Sequence, residues 1–239
     1  METKATRIRN KKRHIDTGYL QYIKNKKTPV TFALILINTI IWIITAILTA
    51  ITNGSRNIFV SIYSQETNIK VLINAGGLVR LLVLQGQWWR LITSGFLHLT
   101  LVHLSLNMFY LFIFGRLLEK AYNSLKFSII YFISLLIGSL LGFIFMANND
   151  IAIGASGAIL GLFGASCTFY YFRPNTAYAS RKTVLLLNAF SIFGQIIFDM
   201  IVQHQIIWAH WGGLAGGLIC GFLLLPSYKE WREKSQIKN

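Results

Sequence analysis

Ser156, His210, His103 and Asn107 are side chains whose types suit acyl-transfer chemistry, and each stands inside a run of apolar residues. A serine hydroxyl is a weak nucleophile at neutral pH, and a histidine within hydrogen-bond reach can take its proton as it attacks. The attack drives negative charge onto the carbonyl oxygen, so donors must be aimed at that oxygen. His103 and Asn107 stand at i and i+4, on one face of any helix that carries them, and could supply two. The backbone N–H of Ser156 could supply a third if that residue opens its helix, where amides lack intrahelical partners. Packing, proton relay and metal ligation are the other ordinary uses of a histidine in an apolar segment.

The elements that position these residues are built for lipid. Of 239 residues, 54% are hydrophobic and 13% charged, with a mean hydropathy of +0.53; a soluble domain carries about 25% charged residues. Six apolar blocks, at 30–51, 96–115, 127–147, 151–172, 183–202 and 206–226, are each about long enough to cross a bilayer core. Asp199 in the fifth is the one formal charge among them. The stretch 71–84 is too short to span and carries Arg80, so it reads as an interfacial or re-entrant element of a long first loop. The pattern predicts an all-α membrane protein: a basic tail over 1–29, six transmembrane helices within 30–226, an external loop over 52–95, and a second tail over 227–239.

The net charge of +15 follows this topology. With both termini on one side, 19 of the 23 Lys and Arg residues share that side, leaving Arg56, Lys70, Arg80 and Arg90 on the other. Basic residues are retained in the cytoplasm, which places both termini there, in a multi-pass protein of the plasma membrane. The basic tail then meets anionic lipid head groups, and no nucleic-acid partner is implied. The first block is too long for a signal-peptide core and reads as an anchor. Cys167 and Cys220 give no disulfide framework and read as packing residues.

In that topology the second, fourth and sixth blocks all run inward. Counted from their outer ends, His103 is seven residues in, Ser156 five and His210 four, or roughly 6 to 11 Å deep. Gly154, Gly157, Gly161 and Gly164 strip one face of the fourth block, and Gly212, Gly213, Gly216, Gly217 and Gly221 one face of the sixth. Small residues at this spacing let helices approach closely, as a Ser156–His210 contact of about 3 Å requires. A transporter or channel with a histidine proton or metal path is the alternative; it would favour internal repeats, and the sequence has none. Metalloprotease chemistry would want H-E-x-x-H, which is absent. An aspartyl protease would need two facing aspartates, whereas Asp150 falls in a loop and Asp199 stands alone.

Gly154-Ala155-Ser156-Gly157 and Ala209-His210-Trp211-Gly212-Gly213, followed by Gly217, resemble the GxSG and AHxxGxxxG motifs of the rhomboid family of intramembrane serine proteases. Trp89-Arg90, Phe96-Leu97-His98, His103 to Asn107 and Gly115 to Glu119 follow that family's WR, FxH, HxxxN and GxxxE run in order, and the likeness extends over about 87–221. The resemblance implies a six-helix core whose water-filled cavity opens outward, cutting transmembrane substrates with a Ser156–His210 dyad and no cofactor or metal. It implies oxyanion stabilisation by His103, Asn107 and the Ser156 amide, with Gly154, Gly157, Trp211 and Gly213 supporting the site. Some members stack a tyrosine on the catalytic histidine four residues after the nucleophile. Leu160 stands there in this chain, so support of the His210 ring passes to Trp211 or a phenylalanine. His98 is read as a packing or hydrogen-bonding residue of the first loop, with a supporting role near the site left open.

Overall fold

Pro29 opens the first long helix at a position where its missing N–H costs nothing. In a computed structural model, the structure describes residues 27–53, 68–148, 150–173, 181–202 and 206–227. Most of the basic tail expected over 1–29, loop residues 54–67 and the chain from 228 lie outside the described residues. The long helices are α1 (Pro29–Thr52), α5 (Leu101–Tyr122), α6 (Ser124–Phe145), α7 (Ser156–Phe172), α8 (Arg181–Val202) and α9 (Ile207–Leu223). Between α1 and α5 the described part of the first loop forms three short helices, α2 (Ile69–Asn74), α3 (Arg80–Leu84) and α4 (Arg90–Thr93). Among the described residues the fold is all-helical, apart from one antiparallel bridge between Leu78 and Ala152.

Helices α1, α5 and α6 are long and apolar enough to cross a membrane. Helices α7 and α9 are apolar but shorter, with 17 residues each. Phe32, Leu36, Ile40, Val102, Phe109 and Phe222 stand exposed on the outer face, an arrangement suited to hydrocarbon rather than water. Inside, Leu111, Leu118, Tyr122, Phe127, Ile130, Tyr131 and Leu162 are fully buried.

Thr28 offers no side-chain cap to α1. The cap comes from Glu119 near the end of α5, whose carboxylate accepts bonds from Val30 N (3.1 Å), Thr31 N (2.9 Å) and Thr31 Oγ1 (2.7 Å). Ser124 at the start of α6 donates to the same carboxylate at 2.7 Å. Glu119 is fully buried, and its charge faces the helix ends where amide dipoles favour an anion.

The stretch expected to be interfacial or re-entrant folds onto the rest of the protein, with Leu72, Leu78 and Val83 buried. Arg90 is its fastener. One guanidinium nitrogen donates to Ile73 O (2.6 Å) and Gly77 O (2.7 Å), and Nε donates to Gln87 Oε1 (2.8 Å). Charged hydrogen bonds contribute about 1.5–3 kcal/mol each, and removal strands buried carbonyls. Arg90→Ala is therefore expected to lower stability by roughly 3 kcal/mol, and Arg90→Lys to recover only part because it lacks the planar fork. An unchanged thermal midpoint for Arg90→Ala would show that the loop is held by something else.

Two helix starts differ from the sequence expectation. Helix α5 begins at Leu101 rather than 96, because Thr100 caps it by accepting from His103 N at 3.0 Å. Helix α7 begins at Ser156 rather than 151, because Ala152 exchanges backbone bonds with Leu78 (2.9 and 3.1 Å) and Gly154 adopts φ +118, which a helix cannot contain. Asp199 falls within α8, but its side chain lies outside the described residues.

Candidate active site

Helices α6, α7 and α9 meet along a seam of glycines. A Cβ on Gly213 would run into the Gly157 carbonyl, and one on Gly217 into the Gly161 carbonyl. A Cβ on Gly138 of α6 would sit 2.6 Å from Ala209 O, so the third helix joins the same contact. Backbone touching backbone is what Gly-rich faces allow, and any side chain here would wedge the helices apart.

At the upper end of this seam Ser156 Oγ lies 2.7 Å from His210 Nε2. Ser156 is the first residue of α7 and His210 the fourth of α9, so their meeting follows from where the seam begins. Because Ala155 provides no side-chain cap, the first amides of α7, that of Ser156 among them, have no partner within their helix. The three residues sit close to the starts of their helices, Ser156 first, His103 third and His210 fourth, all within about the first turn.

His103 and Asn107 project from α5 into the same cavity, of about 470 Å³, that Ser156 and His210 line. Asn107 is buried, and its Nδ2 donates to His103 O at 2.9 Å. An amide NH₂ has two donors, so this bond leaves one for the cavity. Gly154 is required on two counts. Its φ of +118 is strained for other residues, and a Cβ would lie 2.8 Å from His103 Nε2. Its N–H donates to Ser94 O at 2.9 Å.

His210 is buried beside Leu160, and the two line a small void with Trp211 and Gln195. Trp211 is 43% exposed and borders that void beside His210. Successive helical residues diverge by about 100°, so one cannot readily stack on the other. His98 lies against His103, with ring centroids 5.0 Å apart.

Sequence reasoning missed Thr100, Tyr110 and Gln195. Thr100 was readable as a cap before an apolar run. Tyr110, three residues after Asn107, lines the cavity on the same helical face. Gln195, an uncharged polar residue in an apolar helix, carried the signal that marks intramembrane sites. Among the described residues no group of three or more His, Cys, Asp or Glu side chains is placed to hold a metal ion.

The fold and site together define a helical membrane protein in which a serine and a histidine meet at the wall of one cavity. The sequence profile of the Rhomboid domain matches residues 85–227. The chain is 38% identical over 159 residues to RHOMBOID-like protein 6, mitochondrial, of Arabidopsis thaliana, covering 64% of this chain and 51% of that protein. It is 34% identical over 157 residues to Rhomboid protease GluP of Bacillus subtilis, covering 66% and 29%. Against Rhomboid-like protease 1 of Toxoplasma gondii it is 32% identical over 174 residues, covering 69% and 55%. The chain thus spans about half the length of the first of these relatives. It belongs to the rhomboid family, and with its apolar helices it is an integral membrane protein.

Proposed function

We propose that this chain is an intramembrane serine endopeptidase in which Ser156 is the nucleophile and His210 the general base. The observation that carries this reading is the 2.7 Å approach of Ser156 Oγ to His210 Nε2 at the wall of the cavity. With the imidazole proton on Nδ1, Nε2 takes the hydroxyl proton as Oγ attacks a peptide carbonyl carbon. The carbonyl π bond opens and its electron pair moves to oxygen, which the Ser156 amide, His103 Nε2–H and the spare Asn107 N–H stabilise. As the tetrahedral intermediate collapses, the C–N bond breaks and His210 returns the proton to the leaving amine. Water then attacks the acyl-enzyme by the same route, with His210 again taking and returning the proton.

The six apolar helices are read as six spans, with both termini cytoplasmic, the first loop external and the plasma membrane as location, on the strength of the Lys and Arg asymmetry. The substrates are single-span or other transmembrane proteins, and the basic tail contacts anionic lipids. A peptide bond in an intact transmembrane helix is shielded, so the substrate must unwind locally. Ser156 opens α7, which in this topology faces outward. Unwinding therefore falls near the outer end of the substrate span, favoured by Gly or Pro a few residues further in, which lower the cost of leaving the helix by about 1 and 3 kcal/mol. A small residue before the cut is expected from the likeness to the rhomboid family.

Purified protein in liposomes, incubated with a model single-span substrate and its products mapped by mass spectrometry, tests this reading. Cuts are expected at or just inside the outer boundary. Inactivation should follow a serine-directed acylating inhibitor and not a chelator. Cuts in the cytoplasmic half of the substrate would overturn the topology and the mechanism together.

A further inference from the structure

His98 is completely buried, yet among the described residues neither ring nitrogen has a hydrogen-bond partner. Among these residues the Phe96 backbone is the one polar group within electrostatic reach of the ring apart from His103. An unsatisfied buried polar group is costly to the fold, and phenylalanine or leucine would fill the same space without that cost. A group of this kind in a native interior calls for a role.

Its surroundings indicate one. The His98 ring meets the His103 ring edge to face, at 5.0 Å between centroids and 65° between planes. Such pairs bring the positive edge of one ring to the negative face of the other. A different part of the His103 ring rests on bare backbone, since a Cβ on Gly154 would come within 2.8 Å of Nε2 and 2.9 Å of Cε1. The turn that carries His98 also fixes both neighbours of that ring: Ser94 O holds Gly154 N at 2.9 Å, and Thr100 caps the helix that bears His103.

We propose that His98 is a positioning residue that acts through His103, holding its ring in the one rotamer that keeps Nε2 over the Gly154–Ser156 corner. This inference rests on His103 serving as an oxyanion donor. Without His98, the His103 ring has freedom to turn, and the donor is present but misdirected for part of the time. The loss falls on turnover, because the substrate-lined cavity is unaltered.

A double-mutant cycle in liposomes tests it, using the parent, His98→Phe, His103→Ala and the double variant with one single-span substrate. His103→Ala should be slower by about 10²- to 10³-fold in turnover. His98→Phe is expected to lose about tenfold in kcat with KM close to the parent's and a thermal midpoint at or above it, a displaced donor being worth less than a deleted one. In the His103→Ala background the same change should have no further effect. His98→Leu, which is smaller, serves as the second variant if phenylalanine does not fold. Parental turnover in His98→Phe and His98→Leu would overturn the inference, as would an equal loss in both backgrounds. A His103→Ala protein as fast as the parent would instead sink the oxyanion reading, and this inference with it.

Discussion

Ser156→Ala and His210→Ala are each expected to reduce substrate cleavage on the order of 10⁴- to 10⁶-fold, with the protein still folded in the membrane. The expectation follows from their 2.7 Å contact, which makes nucleophile and base one unit. Residues that act as a unit fail together, so the double variant should be about as inactive as either single one. A fluorophosphonate probe would label the parent and neither Ser156→Ala nor the double variant. Cleavage persisting in Ser156→Ala would end the serine-protease reading, and additive losses in the double variant would mean that His210 acts elsewhere.

Gly213→Ala is expected to cost both stability and activity although it adds a single methyl group. That methyl would run into the Gly157 carbonyl, where carbon and oxygen need about 3.5 Å. Helix α9 must move away from α7, and overpacking of this kind costs about 1–3 kcal/mol or more. The Ser156–His210 contact sits on the same two helices, and a displacement of about 1 Å can cost 10²-fold in rate. Gly216→Ala on the same helix meets the flexible tip of Ile137 at 3.1 Å and the Ser134 backbone at 3.3 Å, a milder crowding, and should keep more of both. Thermal melts in detergent, read beside turnover, check the pair. A Gly213→Ala protein with parental midpoint and rate would show that the seam has slack.

Much of this was legible in the sequence because lipid is a strict solvent. Apolar blocks marked the helices, and the few polar residues left inside them marked the cavity, since each such residue is costly there. Ser156, His210, His103 and Asn107 were found on that ground, and all four line the cavity. Glycine spacing indicated the α7–α9 contact, though not that Gly138 of α6 shares it. Helix starts were less legible. Apolarity continues through residues 96–100 and 151–155, so hydropathy cannot report that Thr100 caps one helix or that the Leu78–Ala152 bridge and Gly154 delay the other. Which loop carbonyls Arg90 holds was not legible, because that depends on the path of the first loop. The pairing of Glu119 with the start of α1 spans 88 residues of sequence and left no local trace.

That carboxylate has a consequence for how the chain is threaded during synthesis. Charge asymmetry biases which face of the membrane each loop occupies, but it is a statistical preference summed over many residues. Glu119 instead imposes a geometric condition: its oxygens reach Val30, Thr31 and Ser124 only when the start of the first helix, the end of the second and the start of the third lie at one surface. A chain whose second helix inserted upside down would leave a carboxylate stranded at the opposite face and the first helix uncapped. The contact is therefore a condition that only one threading of these three helices satisfies, and it is complete within the first 124 residues, before the segments that carry Ser156 and His210.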